Sequence, residues 1–306
     1  MRLLVVLVLR VQLPVSRWVA HVNVYIHEST LFDVGADARL LIKRIQPALP
    51  SISYVMLTHH HWDHSAALQE LWEATGAVVV ASRAELEMLS SIDAMIEVNL
   101  KPVAEAAALP SSVVEWVVKR AYRRYKLLKI PDSYIEAAEE ARGLPAEPLA
   151  TPGHTVAHTS YLLKGALIAG DLMLAGKPPS FIDLEAHLRS LASAPRVKAY
   201  PGHGPPVEDA RRRGLELIRE YAGRLSRLLE ACQPKATLSE AVRRMHGEPL
   251  GPLELMIASR EALASAKLLE KLSLLEVDYS RKPIVLKPTE ACDIIERLKS
   301  ILSIPL

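Results

Sequence analysis

The chain has 306 residues, half of them apolar, which is enough sequence for one large domain and a smaller one. Its net charge of +2 excludes a general electrostatic attraction to nucleic acid or to a membrane surface. The two cysteines, Cys232 and Cys292, lie far apart in the sequence. This spacing excludes a disulfide framework and a thiolate metal site, and it predicts a cytoplasmic protein.

The beginning of the chain alternates short apolar runs with turn residues, which predicts strands interrupted by helices. Its apolar start is too short for a membrane span and is interpreted as the first strand rather than a leader. The predicted strands are Leu3–Leu9, Trp18–Ile26, Ser29–Asp33, Ile52–Thr58 and Ala77–Ala81. The predicted helices are Ala36–Gln46 and Ser65–Thr75, the second with Ser65 as its N-cap. This alternation predicts an α/β fold in which helices cover two sheets, an αββα sandwich.

Residues 58–64 read Thr-His-His-His-Trp-Asp-His and directly follow a predicted strand. His59, His61, Asp63 and His64 are donors that borderline ions such as zinc prefer. On a helix His59 and His61 would point to different sides, whereas a loop allows both to hold one ion while Asp63 and His64 hold a second. The alternative is a surface histidine patch or a tag, but a tag would lie at a terminus.

Residues 83–147 have helical character with several prolines, and they predict a helical insertion near the mouth of the site. The segment Lys119–Lys129 is rich in Lys and Arg and contains Tyr122 and Tyr125. These side chains could contact phosphates and stack on bases. A solvated helix face with tyrosines packed beneath it is the alternative, and it is slightly favoured.

Three further donors each lie just after a predicted strand. His154 follows Thr-Pro-Gly, Asp171 ends the run Leu-Ile-Ala-Gly-Asp, and His203 lies in Tyr-Pro-Gly-His-Gly. Loops held by a rigid sheet are where metal and catalytic residues usually lie. Each residue taken alone is most simply a turn or a solvated side chain, but together with the heptapeptide they complete a ligand set.

The series of these motifs resembles the metallo-β-lactamase superfamily, in the family's order and over residues 23–204. The resemblance implies that His59, His61 and His154 bind a first metal, that Asp63, His64 and His203 bind a second, and that Asp171 bridges the two. It also implies that Asp33, in Asp-Val-Gly35, supports the metal loop without binding metal. Asp63 is further expected to act in catalysis by orienting the attacking water or accepting its proton.

The motif from His154 to Tyr161 and the segments Phe181–Leu184 and Pro201–Pro205 are similar to one branch, the β-lactamase-like protein 2 group. That branch carries a winged-helix tail and includes an RNA endonuclease. His158 matches a histidine of the branch and is kept outside the ligand set. The resemblance predicts a catalytic domain over residues 1–208 and a winged-helix-like domain over residues 209–306.

The tail itself predicts helix, helix, helix, hairpin and helix. The predicted elements are helices Asp209–Cys232, Leu238–Met245 and Pro252–Lys271, strands Leu274–Val277 and Pro283–Leu286, and a last helix. The third helix mixes acidic and basic residues, so sequence-specific DNA binding is not expected. A module that positions substrate or forms a homodimer is favoured instead.

The predicted function is hydrolysis that depends on two divalent metal ions, with zinc expected and iron or manganese as alternatives. RNA phosphodiesters are slightly favoured as substrates over thioesters, esters or lactones of the glyoxalase II type. A metal-binding scaffold without catalysis is the alternative from another class. No membrane partner is expected. The chain contains few Asn and Gln residues, which weakly indicates a thermophilic source.

Overall fold

A computed structural model describes residues 8–14, 21–120, 134–136, 143–247, 250–289 and 293–303. Its strands are β1 (Leu9–Pro14), β2 (His21–His27), β3 (Thr30–Phe32), β4 (Tyr54–Met56), β5 (Val78–Ala81), β6 (Tyr134–Glu136), β7 (Glu147–Ala150), β8 (Thr159–Leu163), β9 (Ala166–Gly170), β10 (Lys198–Pro201), β11 (Ala236–Thr237), β12 (Leu275–Asp278) and β13 (Val285–Pro288).

Its helices are α1 (Ala38–Ile45), α2 (Trp62–Ser65), α3 (Leu68–Thr75), α4 (Arg83–Ser90), α5 (Ile92–Met95), α6 (Lys101–Ala107), α7 (Ser111–Arg120), α8 (Leu184–Ala192), α9 (Ala210–Ala231), α10 (Leu238–His246), α11 (Pro252–Lys271) and α12 (Ile294–Leu302). A short 3-10 helix (Leu49–Ser51) and a π-helical segment (Ile96–Leu100) complete the regular structure of the described residues. None of the helices in these residues is long and apolar enough to cross a membrane.

The strands form two main sheets and one small sheet. The first has the order β1-β2-β3-β4-β5-β6, the second β10-β9-β8-β7, and the small sheet β11-β13-β12. In the first sheet β3, β4, β5 and β6 run parallel. In the second sheet β9 and β10 run parallel, while β8 runs antiparallel to β9. Parallel strands end at the same edge of a sheet, so the loops that follow them lie together.

Alternation along the strands divides their side chains between two faces. In the first sheet Phe32, Met56 and Val80 face the second sheet and pack with Tyr161 and Ile168. The intervening residues pack outward against the helices that cover this sheet; they are Leu31, Val55 and Val79. Two buried sheets with helices outside them make an αββα sandwich, which confirms the predicted fold class.

The C-terminal helices and the small sheet share one apolar core with the outer face of the second sheet. Leu167 and Ala199 of that sheet belong to the same buried cluster as Leu225 of α9, Leu269 of α11 and Leu298 of α12. The region after residue 208 therefore packs directly against the sandwich. Its order of helix, helix, helix, hairpin and helix is confirmed. The winged-helix assignment and the boundary at residue 208 stay predictions.

The structure corrects three local predictions. Ser65 is not the N-cap of a helix over Ser65–Thr75: the chain forms two helices, α2 and α3, and the Ser65 hydroxyl donates back to the carbonyls of His60 and His61. Asp63 and His64 lie on the short helix α2 rather than in an open loop. The insertion at 83–147 is helical over α4–α7 but also supplies β6, the edge strand of the first sheet.

Two predictions fall largely outside the described residues. These are most of the strand Leu3–Leu9 and the basic segment Lys119–Lys129, including Tyr122 and Tyr125. Cys232 is a buried free thiol, whereas Cys292 is also outside the described residues.

Candidate metal centre

The seven predicted donor residues all lie at one edge of the sandwich. His59 follows β4, and Asp171 and His203 follow the parallel strands β9 and β10. His154 lies in the loop before β8, whose first residue is at the same edge because β8 is antiparallel to β9. Sheet topology thus brings together residues that are distant in the sequence.

A first group consists of His59, His61 and His154. The Nε2 atom of His59 lies 3.1 Å from Nδ1 of His61, and Nε2 of His154 lies 2.9 Å from the same atom. The three nitrogens are within 4.8 Å of one another. Imidazole nitrogens that converge in this way can hold one divalent ion.

A second group consists of Asp63, His64 and His203, whose donor atoms are also within 4.8 Å of one another. The Nε2 atoms of His64 and His203 are 3.2 Å apart. Oδ2 of Asp63 lies 3.4 Å from Nε2 of His203. Two imidazoles and one carboxylate therefore face a common point.

Asp171 lies between the two groups. Its Oδ2 atom is 3.5 Å from Nε2 of His154 in the first group and 3.5 Å from Nε2 of His203 in the second. Its Oδ1 atom is buried and has no hydrogen-bond partner among the described residues. A buried carboxylate oxygen costs free energy unless it is paired or coordinates a cation, so this atom fits a metal ion.

In several of these histidines, the ring nitrogen that points away from the centre contacts an oxygen atom. Nδ1 of His154 donates to the carbonyl of Ser180 at 2.7 Å, and Nδ1 of His203 donates to the carbonyl of His21 at 2.8 Å. Nδ1 of His59 contacts the hydroxyl of Thr58 at 2.9 Å. With these protons on Nδ1, the Nε2 lone pairs are directed into the centre, an arrangement typical of metal-binding histidines.

Asp33 accepts hydrogen bonds that hold the heptapeptide loop in place. Its carboxylate accepts hydrogen bonds from the Thr58 backbone amide at 2.8 Å, from the Thr58 hydroxyl, and from Nδ1 of His64 at 2.8 Å. Asp33 itself is buried and has a φ of 57°, a conformation that Asp tolerates better than most residues. One carboxylate therefore orients both the start of the loop and a histidine of the second group.

The two groups differ in electrostatics. Burial, followed by the neighbouring histidines, holds the pKa of His59 and of His61 well below the usual value. Burial also opposes a proton on His203, but Asp171 and Asp63 outweigh it and raise the His203 pKa to about 10. Neutral rings in the first group are ready to bind metal, whereas a cation in the second group must displace protons.

Glu85 connects two of the loops that carry donor residues. One of its oxygens contacts Nδ1 of His60 at 2.5 Å and accepts from the His60 amide at 2.8 Å. The other accepts from the Thr155 hydroxyl at 2.6 Å and from the Ala157 amide at 2.9 Å. The carboxylate thus ties the heptapeptide loop to the loop that carries His154.

Glu85→Gln is expected to lower the free energy of unfolding at pH 7 by about 1–3 kcal/mol, because buried donors lose a charged acceptor. Burial raises the pKa of Glu85, but His60 outweighs it, and the net pKa lies below its ordinary value of 4.5. The stabilisation is therefore present above about pH 4.5 and is lost as the pH falls through the folded-state pKa. Urea unfolding at pH 7 and at lower pH should show the difference between the two proteins shrinking.

Glu87→Gln provides the control, because Glu87 lies on the same helix α4 but is exposed. Its effect on the free energy of unfolding should stay within about 0.5 kcal/mol. A wild-type advantage over Glu85→Gln that stayed constant between pH 7 and pH 3 would contradict the role assigned to the carboxylate.

Gly202 leaves room for the second group. A Cβ atom at this position would lie against the His64 ring and the Asp171 carboxylate. Gly202→Ala is therefore expected to displace these donors and to lower metal affinity by about 10- to 100-fold. Gly176→Ala is the matched control, because a Cβ atom there meets nothing within 4 Å. Metal titration of the two purified variants checks this, and equal affinities would refute it.

The centre opens into a cleft of about 1500 Å³. His61, Asp63, His154, Asp171 and His203 line one end of it. Most of the remaining wall comes from α7, α9, α10 and α11 and from the segment after β9. The predicted insertion and the C-terminal region therefore both contribute to the surface that a substrate would contact.

Sequence patterns gave no indication of several residues around the centre. Glu85 and Arg260 lie far from the motifs, whereas Ser180 directly precedes the segment Phe181–Leu184; only the packing of the chain places all three around the centre. His158, kept outside the ligand set, is buried, and its Nε2 atom accepts the backbone amide of Asp171 at 3.1 Å. This hydrogen bond therefore helps to hold the backbone of Asp171 in position.

The fold and the site define a class: a two-sheet αββα protein with a centre of histidines and aspartates at the ends of its strands. Residues 19–225, more than half of the chain, match the family model of the metallo-beta-lactamase superfamily. The chain belongs to the metallo-beta-lactamase superfamily, and its predicted membership of this hydrolase superfamily is confirmed.

Solved structures share the architecture over nearly the whole chain. A beta-lactamase domain protein from Burkholderia ambifaria has a TM-score of 0.78 at 20% identity and covers 92% of each chain. A metallo-beta-lactamase family protein from Thermus thermophilus has a TM-score of 0.76 at 21% identity and covers 92% of this chain and 98% of its own. At such identities the similarity shows a common fold, and it extends beyond the sandwich.

Among curated proteins, the hydroxyacylglutathione hydrolase of Acidiphilium cryptum (strain JF-5) is 28% identical over 186 residues. The aligned region is 58% of this chain and 60% of that relative. The chain thus spans less than two thirds of the relative's length, and the similarity concerns the domain that the two proteins share.

Proposed function

We propose that this protein is a hydrolase that uses two divalent metal ions. His59, His61 and His154 would hold the first ion, Asp63, His64 and His203 the second, and Asp171 would contact both. The observation that carries the proposal is the convergence of these donors on the Asp171 carboxylate, whose buried Oδ1 atom lacks a hydrogen-bond partner among the described residues. Zinc is the proposed metal because the donors are imidazoles and carboxylates, although iron and manganese accept the same donors.

Bound metal ions of this kind lower the pKa of water to about 7 and polarise the bond that is attacked. The protein's own part is to orient the reactants. Asp63 lines the cleft and lies beside His203, so its carboxylate is placed to orient the attacking water and to accept its proton. Asp33, Glu85 and His158 hold the loops that carry the donors.

We propose a thioester or ester as the substrate. The similarity to a hydroxyacylglutathione hydrolase, whose name specifies a thioester substrate, supports this choice. The cleft also supports it, because Trp116, Leu253 and Met256 offer apolar surface for an acyl group in the same cleft as the metal centre.

RNA cleavage is the second candidate, and the cationic side chains in the cleft favour it. Lys177, Arg224 and Arg227 line the cleft and could contact phosphodiesters. RNA as the slightly favoured substrate stays a prediction from the sequence, as does a homodimer.

A screen of the metal-loaded protein against acyl thioesters, aryl esters, lactones and single-stranded RNA tests the proposal, with metal content measured on the same sample. Hydrolysis of thioesters or esters that stops after chelation and returns with zinc is the expected result. Cleavage of RNA alone would select the second candidate. Full metal content without hydrolysis of any substrate would favour the non-catalytic scaffold and overturn the proposal.

A further inference from the structure

One wall of the cleft is rich in positive charge. Lys177, Arg224, Arg227 and Arg260 all line it. Among the described residues, the carboxylates that line the cleft are Asp63 and Asp171, which belong to the metal centre, and Glu261. Glu261 lies 3.3 Å from Arg224 and is thus placed to offset one of these charges. The wall keeps a net positive charge.

Arg260 is a buried part of this wall. It lies on α11 with only 8% of its surface exposed, and its Nη2 atom donates to the Ser180 hydroxyl at 3.3 Å. The carbonyl of the same Ser180 accepts the proton on Nδ1 of His154. Through this serine the guanidinium is held next to the first metal group. Because water screens a buried charge less than an exposed one, an anionic ligand in the cleft would be attracted strongly to it.

Arg224 and Arg227 extend the wall along α9. Both lie close enough to His246 to lower its pKa, after burial, which is the largest cause. They line the same cleft as Arg260, so one face carries several guanidinium groups. The planar guanidinium donates two parallel hydrogen bonds to a phosphate, and several such groups suit a ligand with more than one phosphate better than a single carboxylate.

The size of the cleft agrees with a large ligand. Its volume of about 1500 Å³ exceeds the roughly 300–1,000 Å³ that is usual for small-molecule pockets. A short acyl thioester alone would fill only part of it. The space between the metal centre and α9 can hold a long leaving group.

We propose that Arg224, Arg227 and Arg260 form a phosphate-binding subsite, and that the substrate is an acyl thioester whose thiol carries phosphate groups. This inference rests on the proposed hydrolysis of thioesters. In the reaction water forms a bond to the carbonyl carbon, the carbon–sulfur bond breaks, and the thiol leaves with a proton. The subsite holds the phosphorylated thiol while the acyl carbonyl lies at the metal centre.

A matched substrate pair tests the subsite in the metal-loaded protein. Acetyl-coenzyme A and S-acetyl-N-acetylcysteamine carry the same acyl group, but only the first carries phosphates. For Arg227→Gln and Arg260→Gln, the ratio of kcat/KM for acetyl-coenzyme A to kcat/KM for the neutral thioester should fall about 10- to 100-fold. Arg219→Gln is the control, because Arg219 lies on α9 but faces a different cavity, and the ratio should not change.

Equilibrium binding of free coenzyme A separates this inference from the proposed function. If no thioester is hydrolysed, the proposed function fails, while calorimetric titration of the wild type and the Arg227→Gln protein still tests the subsite. Weaker binding by the variant supports it. Equal binding by both proteins, or a wild type that prefers the neutral thioester, overturns it.

If the wild type binds single-stranded RNA but not coenzyme A, and the Arg227→Gln protein binds that RNA more weakly, the assigned substrate class is overturned. Arg227 is exposed, so its variant should fold even if Arg260→Gln does not.

Discussion

Asp171→Ala is expected to reduce hydrolysis by about 10³-fold or more, because the variant loses the carboxylate that lies between both groups of donors. Its two oxygens lie 3.5–3.7 Å from Nε2 atoms of His64, His154 and His203. Without that negative charge, two neighbouring cations would also repel each other more strongly. Elemental analysis should therefore show a metal content that falls towards one ion per chain, and steady-state kinetics should show a lower kcat.

Asp183→Asn is the matched control for this change. Asp183 is the N-cap of α8 and accepts the Ala186 amide, a role that Asn fills nearly as well. Its kcat and metal content should equal those of the wild type. If Asp171→Ala kept both metal ions and wild-type kcat, the central role of the carboxylate would be wrong.

Asp33→Ala is expected to lower the free energy of unfolding by about 3–5 kcal/mol. The substitution leaves the Thr58 amide, the Thr58 hydroxyl and Nδ1 of His64 without their acceptor, and each buried donor costs about 1–3 kcal/mol. Because His64 also loses its orientation, metal affinity should fall by about 10- to 100-fold. Urea unfolding and competition with a chelator of known affinity measure the two effects.

Asp37→Asn is the control, because it removes the charge of a neighbouring aspartate that does not hydrogen-bond to the heptapeptide loop. Asp37 caps α1 by accepting the Leu40 amide, and Asn caps helices equally well. Its unfolding free energy and metal affinity should match the wild type. A stable Asp33→Ala protein with unchanged metal affinity would show that the loop keeps its shape without the carboxylate.

The donors of the centre could be predicted because each one follows a recognisable strand or turn. The heptapeptide is a local signal, and His154, Asp171 and His203 each follow an apolar run with glycine. The fold class was predictable because apolar runs such as Ile52–Thr58 and Ala77–Ala81 alternate with helical segments along the chain. These features depend on residues that are neighbours in the sequence.

The supporting residues could not be predicted because they act across long sequence distances. Glu85 reaches Thr155, and Arg260 reaches Ser180, through packing that no local pattern encodes. The N-cap at Ser65 was predicted wrongly for a related reason. Its hydroxyl had two acceptors available, the carbonyls of His60 and His61, once the loop folded around the centre.

The apolar cluster shared by the second sheet and the C-terminal helices bears on how the chain is made. The outer face of β9 and β10 is covered by α8 and α9, and α11 and α12 belong to the same cluster. During synthesis that face emerges from the ribosome before α11 and α12 do, and exposed apolar surface of this kind promotes aggregation. The cluster around Leu31 and Val55 draws on residues 11–117 and on Met256 of α11, so most of that cluster can form earlier. The cluster on the outer face of the second sheet can be completed only after α11 and α12 have been translated, and the cleft wall that α11 supplies also forms only then.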